Sequence, residues 1–300
     1  MKNIRTYKNI VWVDLESPTP EEARELVETR NIHPAVAEEL LAPTARPKVD
    51  LYDNAIYLIL HFPSADNAKD QEIDFVVGKN FLITARYNDN PDFHQFSKLF
   101  EVNSILERGT MGEHAGFVLF FMLRHIYRSL LDRLSKISSD IAVIEKEIFA
   151  GREKEMVFAL SKAARDLLNF KRSIRLHKDI LSSLEAAGEN FFGGDFSHYL
   201  RGLTSEYFKV ESALSNDLDT VFELRETNNS LVSTKQNEDM RALTVIALIA
   251  LPLTLLASLL QIDTVSRPII GIQGDFWIVL GLMAGLATIL YILFKKKRWL

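Results

Sequence analysis

Small and polar side chains recur along an apolar stretch near the carboxyl end of the chain. These residues are Thr244, Ala247, Thr254, Ser258 and Gln261, and Leu251 completes the row. Its members are three or four residues apart, which places them on one face of an α-helix. Hydroxyl and amide groups in a membrane helix either join helices or line a water path. One helical hairpin cannot enclose a pore, so either use requires several copies of the chain.

The sequence does not indicate enzyme chemistry or a transition-metal site. The absence of cysteine excludes thiolate zinc sites, iron–sulfur clusters and cysteine nucleophiles. The seven histidines never fall three or four residues apart, so no pair has the helical spacing of metal ligands. No Gly-rich phosphate loop, Gly-x-Ser-x-Gly elbow or His-Glu-x-x-His motif occurs. We therefore expect a protein that is not an enzyme.

Two uncharged segments are long enough to cross a membrane as helices. Residues 243–262 and 276–294 contain no charged side chain, and about 20 apolar residues span a hydrocarbon core. The external loop between them, 263–275, holds one arginine and two aspartates. Arg241 precedes the first span and four basic residues, 295–298, follow the second. The positive-inside rule therefore predicts a multi-pass protein of the cell (inner or plasma) membrane with both termini in the cytoplasm.

Charge is distributed unevenly between the two parts of the chain. After Met240, six basic and two acidic side chains give a net charge of +4, so the first 240 residues carry −9 of the total of −5. Nucleic acids are bound through clustered lysine and arginine on a folded face. The acidic cytoplasmic part therefore argues against nucleic acid as a partner, and the basic end is explained by membrane lipid.

The first 110 residues alternate short strands and helices. Thr19 and Glu22 form a capping-box pattern around Pro20, which predicts a helix start, and a second helix is expected from about Pro34. Strands are predicted over 10–15, 49–51, 55–62, 73–77 and 81–87, where β-rich runs are separated by turn residues. This pattern predicts an α+β cytoplasmic domain over residues 1–110.

Long helices replace this pattern over residues 111–242. Helices are expected over 117–148 and 154–187, separated near Gly151, with a reversal at 190–195. From Phe196 onward, an apolar three- and four-residue register predicts a long α-helical stalk that continues without a hinge into the membrane domain, 243–300. The register comprises Leu200, Leu203, Tyr207, Val210, Leu214, Val221, Leu224 and Leu231, and is interrupted by Asp217, Asn228 and Lys235.

Several segments of the chain are similar to motifs of one known family. They are Lys235-Gln-Asn-Glu-Asp-Met240 with Leu243-Thr244, Leu251-Pro-Leu-Thr254, Lys295-Lys-Lys-Arg-Trp-Leu300, and in the front domain His33-Pro34, Glu38-Glu39 and Arg46-Pro-Lys-Val-Asp50. Together they resemble the CorA-type magnesium transporters over essentially the whole chain. The resemblance implies a funnel-shaped homopentamer whose five first spans line a pore, and uptake of Mg²⁺ or another divalent cation across the cell membrane.

The resemblance also implies roles for residues along the pore. Asn237 is implied at the cytoplasmic mouth, an apolar constriction at Met240, Leu243 and Leu251, and a polar position further out at Thr254. Ser258, from the polar row, completes the set of pore and gate residues.

The outer mouth differs from the family pattern. The family ends its first span with Gly-Met-Asn, whereas this chain has Gln261, Ile262 and Asp263. A ring of Asp263 replaces neutral amides by carboxylates, which favours a divalent cation but holds it more tightly. The altered motif leaves open a zinc or cobalt transporter of the same fold, or a non-conducting membrane-anchored cation sensor or scaffold. Asp263 as a simple helix cap is the alternative interpretation of that residue.

A regulatory Mg²⁺ site between neighbouring subunits is also implied by the resemblance. It corresponds to Glu39, after the first motif helix, and Glu226, on the stalk. A solvated stalk residue is the alternative interpretation of Glu226.

Overall fold

The computed structural model describes residues 1–64, 70–88, 96, 98, 114–262, 269–270 and 273–297. The chain divides into two compact units, Met1–Arg225 and Glu226–Leu300. The domain boundaries expected near residues 110 and 242 stay predictions, and the first of them lies outside the described residues.

A six-stranded mixed sheet forms the centre of the first unit. Its strands are β1 (Lys2–Tyr7), β2 (Ile10–Glu16), β3 (Lys48–Leu51), β4 (Ile56–Phe62), β5 (Gln71–Val77) and β6 (Phe81–Arg86). They lie in the order β1-β2-β6-β5-β4-β3, with β2 and β6 parallel and the other neighbours antiparallel. The five predicted strands are confirmed, whereas β1 was not predicted, because this edge strand contains no apolar run and its Ile4 is exposed.

Two short helices pack on one face of this sheet. Helix α1 (Pro20–Arg30) begins as predicted, because the Thr19 hydroxyl accepts a hydrogen bond from the Glu22 amide and the Glu22 carboxylate accepts one from the Thr19 amide. Helix α2 (Pro34–Glu39) begins at the predicted proline. The core on this side is formed by side chains of β2, α1, α2, β4, β5 and β6, and includes Leu15, Leu26, Val36, Tyr57 and Ile83.

Three helices follow in the same unit: α3 (Gly116–Phe149), α4 (Glu153–Ile174) and α5 (His177–Phe192). The prediction of one helix over 154–187 is wrong, because the chain breaks between Ile174 and His177. His177 is fully buried at the break, where its Nε2 donates to the backbone oxygen of His61 at 2.8 Å. Its Nδ1 therefore accepts from the Tyr127 hydroxyl, 2.9 Å away. No glycine or proline marks this break, so the sequence pattern gave no sign of it.

Helix α6 (Gly194–Gln261) is an uninterrupted helix of 68 residues. Its first part lies beside α3 in the same direction, since Phe117 contacts Phe196 with ring centroids 5.0 Å apart and Tyr127 contacts Tyr207 at 6.4 Å. The predicted stalk register is confirmed from Leu200 to Leu224, where every apolar member is buried. The last described helix is α7 (Asp275–Lys296).

Candidate ion pathway and regulatory site

Helices α6 and α7 are the two helices, within the described part of the chain, that are long and apolar enough to cross a membrane. The best 18-residue windows have a mean hydropathy of 2.5 in α6 and 2.3 in α7, and almost none of either window is buried within one chain. Large exposed apolar surfaces of this kind require lipid or further protein around them. This observation agrees with the two predicted spans.

The predicted pore and gate residues all lie on α6, from Asn237 to Ser258. The three side chains of the expected constriction are exposed in the single chain: Met240 by 62%, Leu243 by 61% and Leu251 by 65%. Gln261 ends the helix, Ile262 follows it, and Asp263 lies outside the described residues. The pore assignment therefore remains a prediction, made on residues that one chain leaves free for further contacts.

The membrane part of α6 has a covered face and an uncovered face. Buried or half-buried positions are Val245, Ile249, Pro252, Leu253, Leu256, Ala257 and Leu260. The polar row is exposed along its whole length, at Thr244, Ala247, Leu251, Thr254, Ser258 and Gln261. At about 100° per residue, the mean directions of the two sets are about 180° apart around the helix axis. The polar row therefore lies on the side of α6 opposite the residues that the chain itself buries.

The threonine hydroxyls of this row bond to their own helix. Thr254 Oγ1 donates to the backbone oxygens of Ala250 and Leu251, each at 2.9 Å, and Thr244 Oγ1 donates to that of Met240 at 2.7 Å. A hydroxyl has a single proton and two lone pairs. With the proton directed to the backbone, the oxygen offers lone pairs to the uncovered side, which suits a cation or the water around it.

Charged groups flank α7 in the pattern used to predict its orientation. Asp275 stands at its first residue, where the carboxylate accepts a hydrogen bond from the Phe276 amide at 2.7 Å. Lys295 and Lys296 occupy its last turn, where positive charge is favourable to the helix dipole. The direction in which α7 crosses the membrane stays a prediction.

Glu39, the first predicted regulatory acid, is already paired within its own unit. It is the last residue of α2. Lys48 Nζ, from β3, lies 2.9 Å from Glu39 Oε1 and 2.7 Å from Oε2. The same ammonium lies 2.7 Å from Asp50 Oδ2 and 5.1 Å from the centre of the Tyr57 ring. Glu39 is therefore part of a two-carboxylate cluster that holds a lysine.

Glu226, the second predicted regulatory acid, is an exposed residue of α6. Within the described residues, no group of three or more His, Asp or Glu side chains is placed to hold a metal ion. Carboxylate oxygens are nevertheless the ligands that Mg²⁺ prefers, usually with several of its waters retained. The residue types at Glu39 and Glu226 fit such an ion, and their pairing across subunits remains a prediction.

A buried polar cluster between β4 and β5 was not predicted from the sequence. Glu72 accepts hydrogen bonds from the Thr44 amide at 2.7 and 2.8 Å, and lies 3.0 Å from His61 Nε2. His61 Nε2 also lies 3.1 Å from the Thr44 carbonyl, which only accepts, so this nitrogen carries a proton. Asp74 Oδ2 accepts from the Tyr57 hydroxyl at 2.9 Å. The sequence does contain one sign of this cluster, because Glu72 and Asp74 are acidic residues at alternate positions of an otherwise apolar strand.

Burial of Asp74, reinforced by the neighbouring Glu72 charge, raises the pKa of Asp74 to about 8. Its side chain is fully buried, and its Oδ1 receives no hydrogen bond from a described donor. Asp74 therefore holds a proton at neutral pH, within hydrogen-bonding reach of Glu72.

Comparison with known proteins places these features in a family. The family described as "CorA-like Mg2+ transporter protein" matches residues 7–296. The Cobalt/magnesium transport protein CorA of Thermotoga maritima is 26% identical over 90% of this chain and 77% of that protein. The Divalent cation transporter CmaX of Pseudomonas aeruginosa is 20% identical over 97% of this chain and 87% of that protein.

A solved structure has the same fold. The complete CorA magnesium transporter of Methanocaldococcus jannaschii superposes with a TM-score of 0.84 at 18% identity, covering 99% of this chain and 94% of that one. The order of elements, from the amino-terminal sheet to the long helix and the final apolar helix, is therefore shared over the full length. With the family match spanning nearly every residue, the chain belongs to the CorA-like Mg²⁺ transporter family.

Proposed function

We propose that five copies of this chain form a pore in the cell membrane that passes Mg²⁺ into the cytoplasm, without a covalent reaction step. Both termini face the cytoplasm, the first span of each copy is innermost, and lipid surrounds the second spans. Family membership and the names of its relatives support magnesium or another divalent cation as the transported ion.

The observation that carries this proposal is the uncovered polar face of α6. Thr254, Ser258 and Gln261 lie on the side of the helix opposite its covered residues. Such a face is costly against lipid and is used when it meets other helices or water. When several copies form a ring with these faces inward, each polar face meets both the neighbouring helices and the water of the pore.

The electrical potential gives the direction of transport. Each elementary charge that crosses the membrane gains about 2.3 kcal/mol per 100 mV, so a divalent ion gains about twice that amount when the cytoplasm is negative. Mg²⁺ dehydrates reluctantly, and the lone pairs of the Thr254 hydroxyl suit contact with its water shell. Uptake then needs no chemical energy source.

The cytoplasmic site regulates this flow in our proposal. Mg²⁺ bound between Glu39 of one copy and Glu226 of its neighbour stabilises the closed arrangement by mass action. Millimolar Mg²⁺ should then protect the cytoplasmic part from proteolysis. Unchanged protection after Glu39→Ala combined with Glu226→Ala would remove these residues from the regulatory site.

Ion uptake by the purified protein in liposomes tests the proposed pore. Thr254→Val keeps the shape of the side chain and removes its oxygen, so we expect Mg²⁺ flux to fall about five- to ten-fold, the equivalent of one hydrogen bond to the ion's water shell. Thr288→Val is the matched control, because Thr288 on α7 is also exposed and its hydroxyl also bonds to its own helix, at Ala284 O.

Other outcomes separate the competing functions. Equal loss of flux in the Thr254 and Thr288 variants would contradict the inner position of α6. Uptake of Zn²⁺ or Co²⁺ in preference to Mg²⁺ would indicate the zinc or cobalt transporter. A pentamer that passes none of these ions would indicate the sensor or scaffold.

The mass of the protein in detergent tests the assembly. A homopentamer has five times the chain mass of 34.2 kDa. A monomer or dimer under conditions that preserve the fold would contradict the proposal.

A further inference from the structure

Lys48 is held where a cation bound to Glu39 would lie. Its ammonium contacts both carboxylate oxygens of Glu39, at 2.9 and 2.7 Å. A second carboxylate, Asp50, is 2.7 Å away on the same strand as Lys48. The arrangement is that of a single positive charge shared between two acidic groups.

The Lys48–Glu39 pair is partly open to solvent. The Lys48 side chain is 32% exposed and that of Glu39 is 35% exposed. A lysine ammonium is charged at neutral pH, and its flexible four-carbon stem allows it to shift between Glu39 and Asp50.

We propose that Lys48 is an intramolecular competitor that sets the Mg²⁺ concentration at which the regulatory site fills. The inference rests on the proposed role of Glu39 and goes beyond it. A metal ion and an ammonium on the same carboxylate repel each other strongly at about 4 Å. Filling the site thus requires Lys48 to leave Glu39, and Asp50 provides the second carboxylate on which it stays.

Replacing Lys48 should lower the Mg²⁺ concentration at which the regulatory site is half filled. In Lys48→Gln the local charge becomes more negative by one unit and no ion pair has to break. A partly exposed ion pair contributes about 0.2–1 kcal/mol, so removing the Lys48–Glu39 pair that otherwise has to break should lower the half-saturating Mg²⁺ concentration by up to about five-fold. Lys48→Arg keeps the charge and should have a threshold closer to that of the unmodified protein.

The measurement is the thermal unfolding temperature of the full-length protein in detergent, titrated with MgCl₂ at constant ionic strength. Constant ionic strength is needed because added salt also screens ion pairs. The readout is the Mg²⁺ concentration at half of the total shift, which is independent of the starting stability of each variant. Lys2→Gln is the matched control, because Lys2 forms a comparable ion pair with Glu25 at 2.5 Å in the same unit.

A double-mutant cycle separates this inference from the proposed function. The effect of Lys48→Gln should disappear when Glu39→Gln is also present. A half-saturating concentration that is unchanged or raised in Lys48→Gln, while Glu39→Gln weakens the response, would overturn only the role of Lys48. No response to Mg²⁺ in the unmodified protein, or a response that Glu39→Gln leaves intact, would overturn the regulatory site and this inference together.

Discussion

The stability of the first unit should fall as the pH rises from about 4 to about 8, because Asp74 is buried with its proton. The pKa of Asp74 rises from 3.8 to about 8 in the folded chain, through burial first and the Glu72 charge second. Between these values the unfolded chain has lost the proton and the folded chain retains it. The free energy of unfolding therefore decreases by about 1.4 kcal/mol per pH unit over this window.

The substitution Asp74→Asn removes this dependence. The amide cannot ionise, it accepts from the Tyr57 hydroxyl as the carboxyl group does, and its NH₂ donates toward Glu72. At pH 7 the accumulated cost in the unmodified protein is about 4 kcal/mol. The variant should recover only part of that amount. The second N–H of its amide group is buried without a partner, which costs about 1–3 kcal/mol.

Thermal unfolding between pH 5 and pH 9, followed on the full-length protein in detergent, measures this effect. A change of 1 kcal/mol moves the unfolding temperature of a unit of this size by about 2–4 °C, so we expect a slope of about 3–5 °C per pH unit that Asp74→Asn abolishes. The control is Asp53→Asn, which changes an exposed carboxylate in the same unit. Parallel slopes for the unmodified protein and Asp74→Asn would refute the assignment of the buried proton to Asp74.

Three further predictions concern the pore and the helix packing. Asp263→Asn should preserve Mg²⁺ uptake with a weaker apparent affinity and Asp263→Ala should reduce flux strongly; coincident uptake curves for the unmodified protein and both variants would exclude Asp263 from the outer mouth. Leu203→Ala should cost about 2–5 kcal/mol, measured by denaturant unfolding, because Leu203 is fully buried on α6. Gly188→Ala should cost about 0–2 kcal/mol, because its new methyl group overlaps the end of the buried Leu200 side chain while alanine gains about 1 kcal/mol of helix propensity, and a smaller cost or a gain in the background of Leu200→Ala would support that cause.

Local patterns predicted much of the fold. Thr19 and Glu22 specify the start of α1 by their own hydrogen bonds, and the apolar register of α6 specifies which residues are buried from Leu200 to Leu224. These features depend on neighbours along the chain or on helix periodicity. The break before His177 depends instead on contacts with His61 and Tyr127, which are 116 and 50 residues away.

The candidate sites likewise divide into features that a local pattern predicts and features that depend on contacts between separate elements. The polar row of α6 is a periodic pattern that lies on one face of the helix and is uncovered in the structure, and its place in a pore stays a prediction. The pairing of Glu39 with Lys48 joins the end of a helix to a strand nine residues later, and helix or strand periodicity relates only residues within one element. Residue types therefore indicated an acidic site, whereas the lysine within it required the structure.

The polar row of α6 depends on rotational phase within the membrane part of the helix. Each residue advances a helix by about 100°, so deleting one residue between Thr244 and Thr254 would turn Thr254, Ser258 and Gln261 by about 100° out of line with Thr244. A change of seven residues would turn them by only about 20°. The number of residues between the members of the row is thus constrained modulo two helical turns, and this constraint lies in the length of the segment rather than in any single side chain.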